Sequence, residues 1–201
     1  VYLDIIKDRM YVTKSNSNAR RSAQFALFDV ADILIRLISP VLVFTAEEIW
    51  QSHELFKKQS VSIFMAPQKT LSEIESSISD EDWKKIFAVK DAVNQSIEKA
   101  RADSVIKGSL DSKIIISCDK KTYKALEKIE DELKFVFISS EVEIAESSSS
   151  KLDIEVTNFD QKKCIRCWNK CSSVGLYVED PEICSRCYTN VYGDGEIRKF
   201  V

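Results

Sequence analysis

Apolar residues recur at helical spacing through the first hundred positions of the chain. They predict a helix over residues 1–14 and a longer one over 19–39, which Pro40 ends. Thr45, followed three residues later by Glu48, forms a capping-box pattern that predicts the start of a short helix. The run "SISDEDWKKIFAVKDAVNQSIEKARAD" predicts another long helix, whose acidic residues cluster at the end where the helix dipole favours them.

Residues 1–103 are therefore predicted to form a bundle of three or four helices, broken by one extended stretch, "SVSIF". The pattern then changes. "DSKIIIS" predicts a strand, "KKTYKALEKIEDEL" a helix and "KFVFISSEVEIAE" one or two strands, so that 104–158 form a small α+β unit. "SSSS" at 147–150 indicates a flexible connection, and "LDIEV" predicts a further short strand.

Residues 159–201 contain two copies of the pattern Cys-x-Arg-Cys. Cys164 and Cys167 form the first pair, Cys184 and Cys187 the second, and sixteen residues separate the pairs. Two such turns can present four sulfurs at tetrahedral angles, which suits zinc. Four thiolates leave no position for water, so the predicted zinc ion is structural and supplies most of the folding free energy of a zinc ribbon.

The remaining thiols and the single histidine are assigned no chemistry. Cys171 is interpreted as a bystander, Cys118 as a core residue and His53 as a surface residue. Arg166 and Arg186, each inside one Cys-x-Arg-Cys pattern, have two interpretations that the sequence leaves open. They either offset the negative charge of the metal site or point outward to phosphate. Redox thiols are a weaker alternative, because no thioredoxin-like unit surrounds either pair.

Composition limits the class of protein. The chain has 201 residues, 44% of them hydrophobic, and a net charge of -3, which is not the charge of a wholesale nucleic-acid coat. No apolar run approaches the roughly 20 residues that span a bilayer, and the first residues lack a signal-peptide pattern. We therefore expect a cytoplasmic protein that binds no membrane. Because Val1 lies in what looks like the middle of a helix, we also expect a piece of a longer protein.

The closing segment mixes aromatic with basic side chains, as a site for unstacked RNA bases does. The rings would stack on bases and the cations would pair with phosphates. The alternative is that the rings form a small core for the ribbon and the charges only solvate it. Composition alone favours this second interpretation.

Several quoted stretches resemble the bacterial-type isoleucyl-tRNA synthetases. "KDRMY" with "RRSAQFALFDVADILIRLISPVLVFTAEEIW" is similar to their anticodon-binding helical bundle, and "VNQSIEKAR" with "IKGSLDSKI" to the stretch after it. "KCIRCW" and "CSRCYTNVYGDGEIRKF" resemble their terminal zinc-binding segment. The valyl and leucyl relatives share the helical motifs, whereas the four-cysteine segment singles out the isoleucyl family. One departure is Lys107, which stands at the usual glycine position.

The resemblance implies a ligase that joins isoleucine to its tRNA with ATP. The catalytic and editing domains lie outside these residues, so ATP and magnesium bind elsewhere and no catalytic residue is assigned. The implied fold class is mainly α: a helical bundle of the class I anticodon-binding type, then the α+β unit and the ribbon. This chain would be the tRNA-holding fragment of a monomer. Its partners would be the anticodon stem-loop of tRNA(Ile) and the parent chain's catalytic and editing domains.

The resemblance also carries over site residues. The implied zinc ligands are the four cysteines Cys164, Cys167, Cys184 and Cys187, and the candidate RNA-binding residues are Arg9, Arg20, Arg21, Arg166, Trp168, Arg186 and Lys199. The rival hypothesis from another class is a zinc-ribbon adaptor without enzymatic activity, which binds protein or nucleic acid.

Overall fold

The structure is a computed structural model that describes residues 1–70, 75–149 and 151–200. Helices dominate these residues and strands are few. The helices are α1 (Tyr2–Tyr11), α2 (Asn18–Ile38), α3 (Val43–Ser52), α4 (Glu54–Lys57), α5 (Asp80–Ala102), α6 (Lys120–Glu127), α7 (Leu133–Phe137) and α8 (Ser185–Tyr192), and the strands are β1 (Ser112–Cys118), β2 (Glu141–Glu146) and β3 (Asp153–Asn158). No helix in this described part of the chain is long and apolar enough to cross a bilayer.

The chain divides into two compact units. The larger contains Val1–Arg20 together with Ser76–Val201, and the smaller contains Arg21–Glu75. The larger unit is therefore discontinuous in sequence, with the smaller one inserted between its parts. This is a different division from the three predicted segments 1–103, 104–158 and 159–201, which stay predictions about domain organisation.

The larger unit is built on a three-stranded sheet in the order β2-β1-β3. Strand β1 runs parallel to β2, with Ile114 beside Val142, and antiparallel to β3, with Ile114 beside Val156. Alternate residues of β1 are buried, because helices α5, α6 and α7 cover one face of the sheet. The core between them includes Ile86 and Phe137, which are at most 1% exposed. Helix α1 packs on α7 and so joins this unit.

The smaller unit has a small core, in which Trp50 is the largest side chain. Its ring is fully buried, stacks on Phe56 at 5.2 Å between centroids, and donates its Nε1 hydrogen to the carbonyl of Ser60 at 2.9 Å. Asp32 of α2 is also fully buried, and its carboxylate accepts hydrogen bonds from Arg36 at 2.7 Å and from Gln59 and Lys69. Although burial raises the pKa of Asp32, these hydrogen bonds lower it below its ordinary value.

The helix-rich class with a small sheet is confirmed. The predicted long helices are present, as are the strands β1 and β3. The single bundle over 1–103 is not confirmed, because α1 and α5 belong to the larger unit whereas α3, α4 and most of α2 belong to the smaller one.

Three local predictions are wrong. "SVSIF" is no strand: the Glu47 carboxylate accepts hydrogen bonds from Ser62 Oγ at 2.8 Å and Ile63 N at 3.1 Å, which folds the segment into the 3-10 turn Ile63–Met65. Thr45 does not cap α3, because the tight turn after α2 starts that helix at Val43. "KFVF" belongs to helix α7, since α6 ends early and the chain continues through a 3-10 turn.

Lys90 of α5 is a buried cation whose Nζ donates a hydrogen bond to the carbonyl of Val136 at 2.5 Å. Burial lowers the pKa of Lys90, so the folded chain binds fewer protons than the unfolded chain between the lowered pKa and the ordinary value near 10.5. Stability should rise with pH through that interval. We expect Lys90→Met to remove this rise, measured as the difference between urea-unfolding free energies at neutral pH and at pH about 10. Parallel pH dependences of the two proteins would contradict the assignment.

Candidate metal centre

Four cysteine sulfurs converge at one buried point. The Sγ atoms of Cys164, Cys167, Cys184 and Cys187 all lie within 4.8 Å of one another, and each residue is at most 7% exposed. The closest approaches join the two Cys-x-Arg-Cys knuckles: Cys164 to Cys187 and Cys167 to Cys184, each at 3.7 Å. One tetrahedral metal ion could therefore touch all four sulfurs, which confirms that the two knuckles form one cluster.

The first knuckle is a tight turn closed by backbone hydrogen bonds. The Trp168 amide donates to the Cys164 carbonyl and the Cys164 amide donates to the Asn169 carbonyl, both at 2.9 Å. An antiparallel bridge between Lys163 and Lys170 holds the two ends of the turn together. The turn requires a left-handed backbone at Trp168, with φ at 66°.

The second knuckle begins helix α8. Cys184 is the N-cap of α8 and Cys187 lies in its first turn, with the Tyr188 amide donating to the Cys184 carbonyl at 2.9 Å. The positive end of the helix dipole lies here and favours thiolates over thiols. The Cys184 amide also donates to Cys164 Sγ at 3.3 Å, so backbone polarity from one knuckle stabilises a sulfur of the other.

Three of these thiols, those of Cys167, Cys184 and Cys187, compete for ionisation. Hydrogen bonds from Cys184 and Cys187 lower the pKa of Cys167, whereas the hydrogen bond to Cys167 raises the pKa of Cys184 and raises that of Cys187 to about 12. One sulfur can thus be an anion while its neighbours keep their protons. A metal ion would replace those protons, so binding would release protons and weaken as pH falls.

The two knuckle arginines point inward. Arg166 Nη1 lies 3.6 Å from Cys187 Sγ and donates to the Val12 carbonyl at 2.8 Å. Arg186 is paired with the Asp8 carboxylate and with Glu196. Arg166 therefore lies beside a sulfur of the cluster, and Arg186 belongs to an internal ion network.

The other candidate RNA-binding residues lie at different depths. Trp168 is 62% exposed beside the first knuckle, and the Lys199 side chain is exposed although its amide donates to Glu132. Arg9 and Arg20 are half-buried, and Arg20 donates to the Thr13 carbonyl. Arg21 is exposed in the smaller unit. The structure therefore brings Arg166 and Trp168 together at the metal centre.

The residues assigned no chemistry behave as predicted. Cys171 lies outside the four-sulfur cluster, with its Sγ 3.4 Å from Ser173 Oγ. Cys118 is 1% exposed in the core of the larger unit. His53 is exposed, and its Nδ1 accepts the Leu55 amide hydrogen at the start of α4.

A groove of about 560 Å³ opens beside the first knuckle. Its lining is mostly apolar and includes the exposed rings of Trp168 and Tyr11, the buried Phe135, and the cations Lys7, Lys134 and Arg166. Sequence reasoning missed Tyr11 and Lys134. Neither carries a local signal, because the groove joins helix α1 to separate segments at Leu110, Lys134 and Trp168.

Helices, a small mixed sheet and a buried four-cysteine cluster that could hold one metal ion define a helix-rich protein class with a candidate metal site. The family described as "Anticodon-binding domain of tRNA ligase" matches residues 1–116, more than half of the chain. The chain belongs to that family.

Similar proteins extend the match beyond residue 116. Isoleucine--tRNA ligases of Shewanella halifaxensis and Alcanivorax borkumensis are 38% identical over 211 residues and 40% identical over 213 residues, and each match covers 99% of this chain. The chain spans 22% of the length of these curated relatives. The resemblance to isoleucyl-tRNA synthetases is thereby confirmed.

Proposed function

We propose that this chain is the tRNA-holding part of an isoleucine–tRNA ligase. It would grip the anticodon stem-loop of tRNA(Ile) in the cytoplasm while a catalytic domain elsewhere in the parent protein attaches isoleucine with ATP. Its contribution is orientation, because binding energy spent on holding the tRNA positions the acceptor end in a distant active site. The observation that carries this proposal is the match to isoleucine--tRNA ligases over 99% of the chain. A stand-alone zinc-ribbon adaptor would not require that match.

The metal in this proposal is zinc in a structural role. Zinc–sulfur bonds of about 2.3 Å at tetrahedral angles separate neighbouring sulfurs by about 3.8 Å. The closest sulfurs here are 3.7 Å apart. Four thiolates around one divalent ion carry a net charge of about -2, which the nearby guanidinium of Arg166 partly offsets. Cys164, Cys167, Cys184 and Cys187 would hold the ion and leave no position for water.

The groove beside the first knuckle is our candidate for the base-binding surface. Trp168 and Tyr11 are 62% and 76% exposed and offer rings for stacking. Lys7 and Lys134 line the same groove and offer charge to phosphates. The uncovered face of the sheet is a poor alternative, because Glu143 of β2 and other carboxylates there would repel phosphate.

The backbone of Trp168 supports a binding role for its side chain. A left-handed conformation costs a non-glycine residue roughly 1–2 kcal/mol, and Trp168 adopts it at φ 66°. The ring recovers little of this by burial, because most of it faces solvent. A glycine would adopt the same turn without strain. A large exposed ring at a strained position is the arrangement expected where the ring contacts a ligand.

Trp168→Gly should separate RNA binding from folding. We expect the dissociation constant for the tRNA(Ile) anticodon stem-loop to rise roughly 5- to 150-fold, since stacking on one base is worth about 1–3 kcal/mol. Metal content should be unchanged and the unfolding temperature equal or higher, because glycine relieves the strained turn. Fluorescence anisotropy at fixed salt, metal analysis and thermal unfolding measure the three quantities.

Tyr192→Ala is the matched control. Tyr192 is another aromatic residue of the metal module, by which we mean residues 159–200. It is 57% exposed and lies outside the groove lining. It should bind RNA like the unmodified chain. Unchanged RNA binding by Trp168→Gly would refute the base-binding groove, and binding indifferent to anticodon sequence would refute the anticodon role.

A further inference from the structure

The inward direction of the knuckle arginines connects the metal centre to helix α1. Arg186 Nη1 and Nη2 donate to the two carboxylate oxygens of Asp8, each at 2.8 Å. Arg166 Nη1 donates to the carbonyl of Val12 at 2.8 Å. Each arginine lies between the two ligands of its own knuckle, so the loops that hold the sulfurs also aim the guanidinium groups.

The segment that follows α1 is hydrogen-bonded to the metal module. The Lys14 amide donates to Asn190 Oδ1 at 3.1 Å, and Lys14 Nζ donates to the Gly193 carbonyl at 2.7 Å. Asn190 is in turn held by the Arg186 carbonyl, which accepts its Nδ2 hydrogen at 3.0 Å. Asp8, Val12 and Lys14 therefore each contact the metal module.

The contact with Asp8 is enclosed. Phe135 lies against two guanidinium groups, with Arg198 3.3 Å and Arg186 5.0 Å from its ring centroid. The Arg198 side chain is 2% exposed and pairs with Asp8 and Glu196. Two arginines and two carboxylates thus balance in charge within a largely buried network. A buried pair that loses one partner leaves an uncompensated charge, so this network should be sensitive to its geometry.

We propose that the metal centre is the docking clamp for helix α1. By fixing the two knuckles, the metal sets the direction of Arg166 and Arg186, so metal binding and α1 docking stabilise each other. This inference rests on the metal site of the proposed function and not on tRNA. Because α1 lies within the family-matched residues 1–116, metal occupancy would act on a helix of the anticodon-binding domain itself.

Linkage makes the coupling measurable from either side, because two coupled equilibria change each other by the same factor. Asp8→Asn keeps the shape of the side chain and removes the charge that Arg186 binds. We expect its zinc dissociation constant, measured by competition with a chromogenic chelator, to rise about 5- to 150-fold, as a coupling of 1–3 kcal/mol implies. Stripping zinc from the unmodified chain should accelerate amide exchange across residues 8–14 by a similar factor.

Asp4→Asn is the matched control. Asp4 is on the same helix, is 54% exposed and pairs with Lys7 and the chain's amino group. It should leave zinc affinity unchanged. The double variant Asp8→Asn with Arg186→Gln should lose less affinity than the two single variants lose in sum, because both changes remove the Asp8–Arg186 pair.

Zinc content of the unmodified chain is measured first, and all steps are carried out without RNA. A chain that holds no zinc would overturn both the zinc site and the clamp. A chain that holds zinc, with unaltered exchange at residues 8–14 after stripping or unaltered affinity in Asp8→Asn, would overturn the clamp alone. Neither result bears on the tRNA-binding test with Trp168→Gly, so the two proposals fail separately.

Discussion

Cys184→Ser is expected to abolish metal binding and to unfold the metal module. Among the residues that the structure describes, the buried cluster around the site consists of the four cysteines with only Val12 and Ile183 added, so the cysteines are themselves the core. Structural zinc contributes about 10–16 kcal/mol of apparent binding free energy in small modules, far more than two apolar side chains supply. Metal content should fall from about one ion per chain to near zero, and amide exchange across 164–192 should lose its protection.

Cys171→Ser is the control for this experiment. Cys171 lies in the same module, outside the four-sulfur cluster, and should keep both the metal and the exchange protection. Strand β1 should stay protected in both variants, because its core is built from α5, α6 and α7. A Cys184→Ser chain that lacks metal yet keeps residues 164–192 protected would show that the metal is dispensable for folding.

Trp50→Ala should destabilise the smaller unit by about 3–5 kcal/mol, the range for truncating a large buried aromatic residue. The expected loss is large because the substitution removes three interactions together: the stacking on Phe56, the hydrogen bond to Ser60 and the cation–π contact with Arg36. The remaining core of Ile35, Ala46, Phe56 and Ile63 is small. Amide exchange across α3 and α4, followed against urea concentration, measures the effect.

Phe44→Ala tests whether burial causes the effect of Trp50→Ala. Phe44 is another aromatic residue of α3 but is 89% exposed. Its removal should change the unfolding free energy by less than about 0.5 kcal/mol. Equal losses from the two substitutions would mean that Phe44 is buried in solution.

Sequence is sufficient where chemistry is local. The four-cysteine cluster was predictable because a Cys-x-x-Cys turn fixes its own geometry within four residues. Helix α5 was predictable for a similar reason: its acidic first turn follows Ser79, whose side chain accepts the Asp82 amide hydrogen at 3.2 Å. Strand β1 was predictable from its run of β-branched isoleucines, whereas the alternation of its burial, with Ile114 and Ile116 on the buried face, is a finding of the structure.

The sequence does not predict a local structure or a side-chain direction that depends on residues far away in the chain. The apolar run "KFVF" does not distinguish a buried helix from a buried strand by periodicity, and Leu133, Phe135, Val136 and Phe137 are all buried in α7. Asp8, which binds both terminal nitrogens of Arg186, is 178 positions away, so the Cys-x-Arg-Cys pattern could not show this direction of the arginine. The division into two compact units was equally unpredictable, because residues 1–20 belong to the unit whose sheet begins at Ser112.

The discontinuous larger unit has a consequence for biosynthesis. Arg198, which pairs with Asp8, is translated 190 residues after it. At roughly 5–20 residues per second, about 10 to 40 seconds pass between the synthesis of Asp8 and that of Arg198. A ten-residue helix is marginal in water by itself, so α1 stays available to chaperones and proteases until α7 and the metal module have been made. A truncation that removes Arg198 would therefore weaken the packing of helix α1.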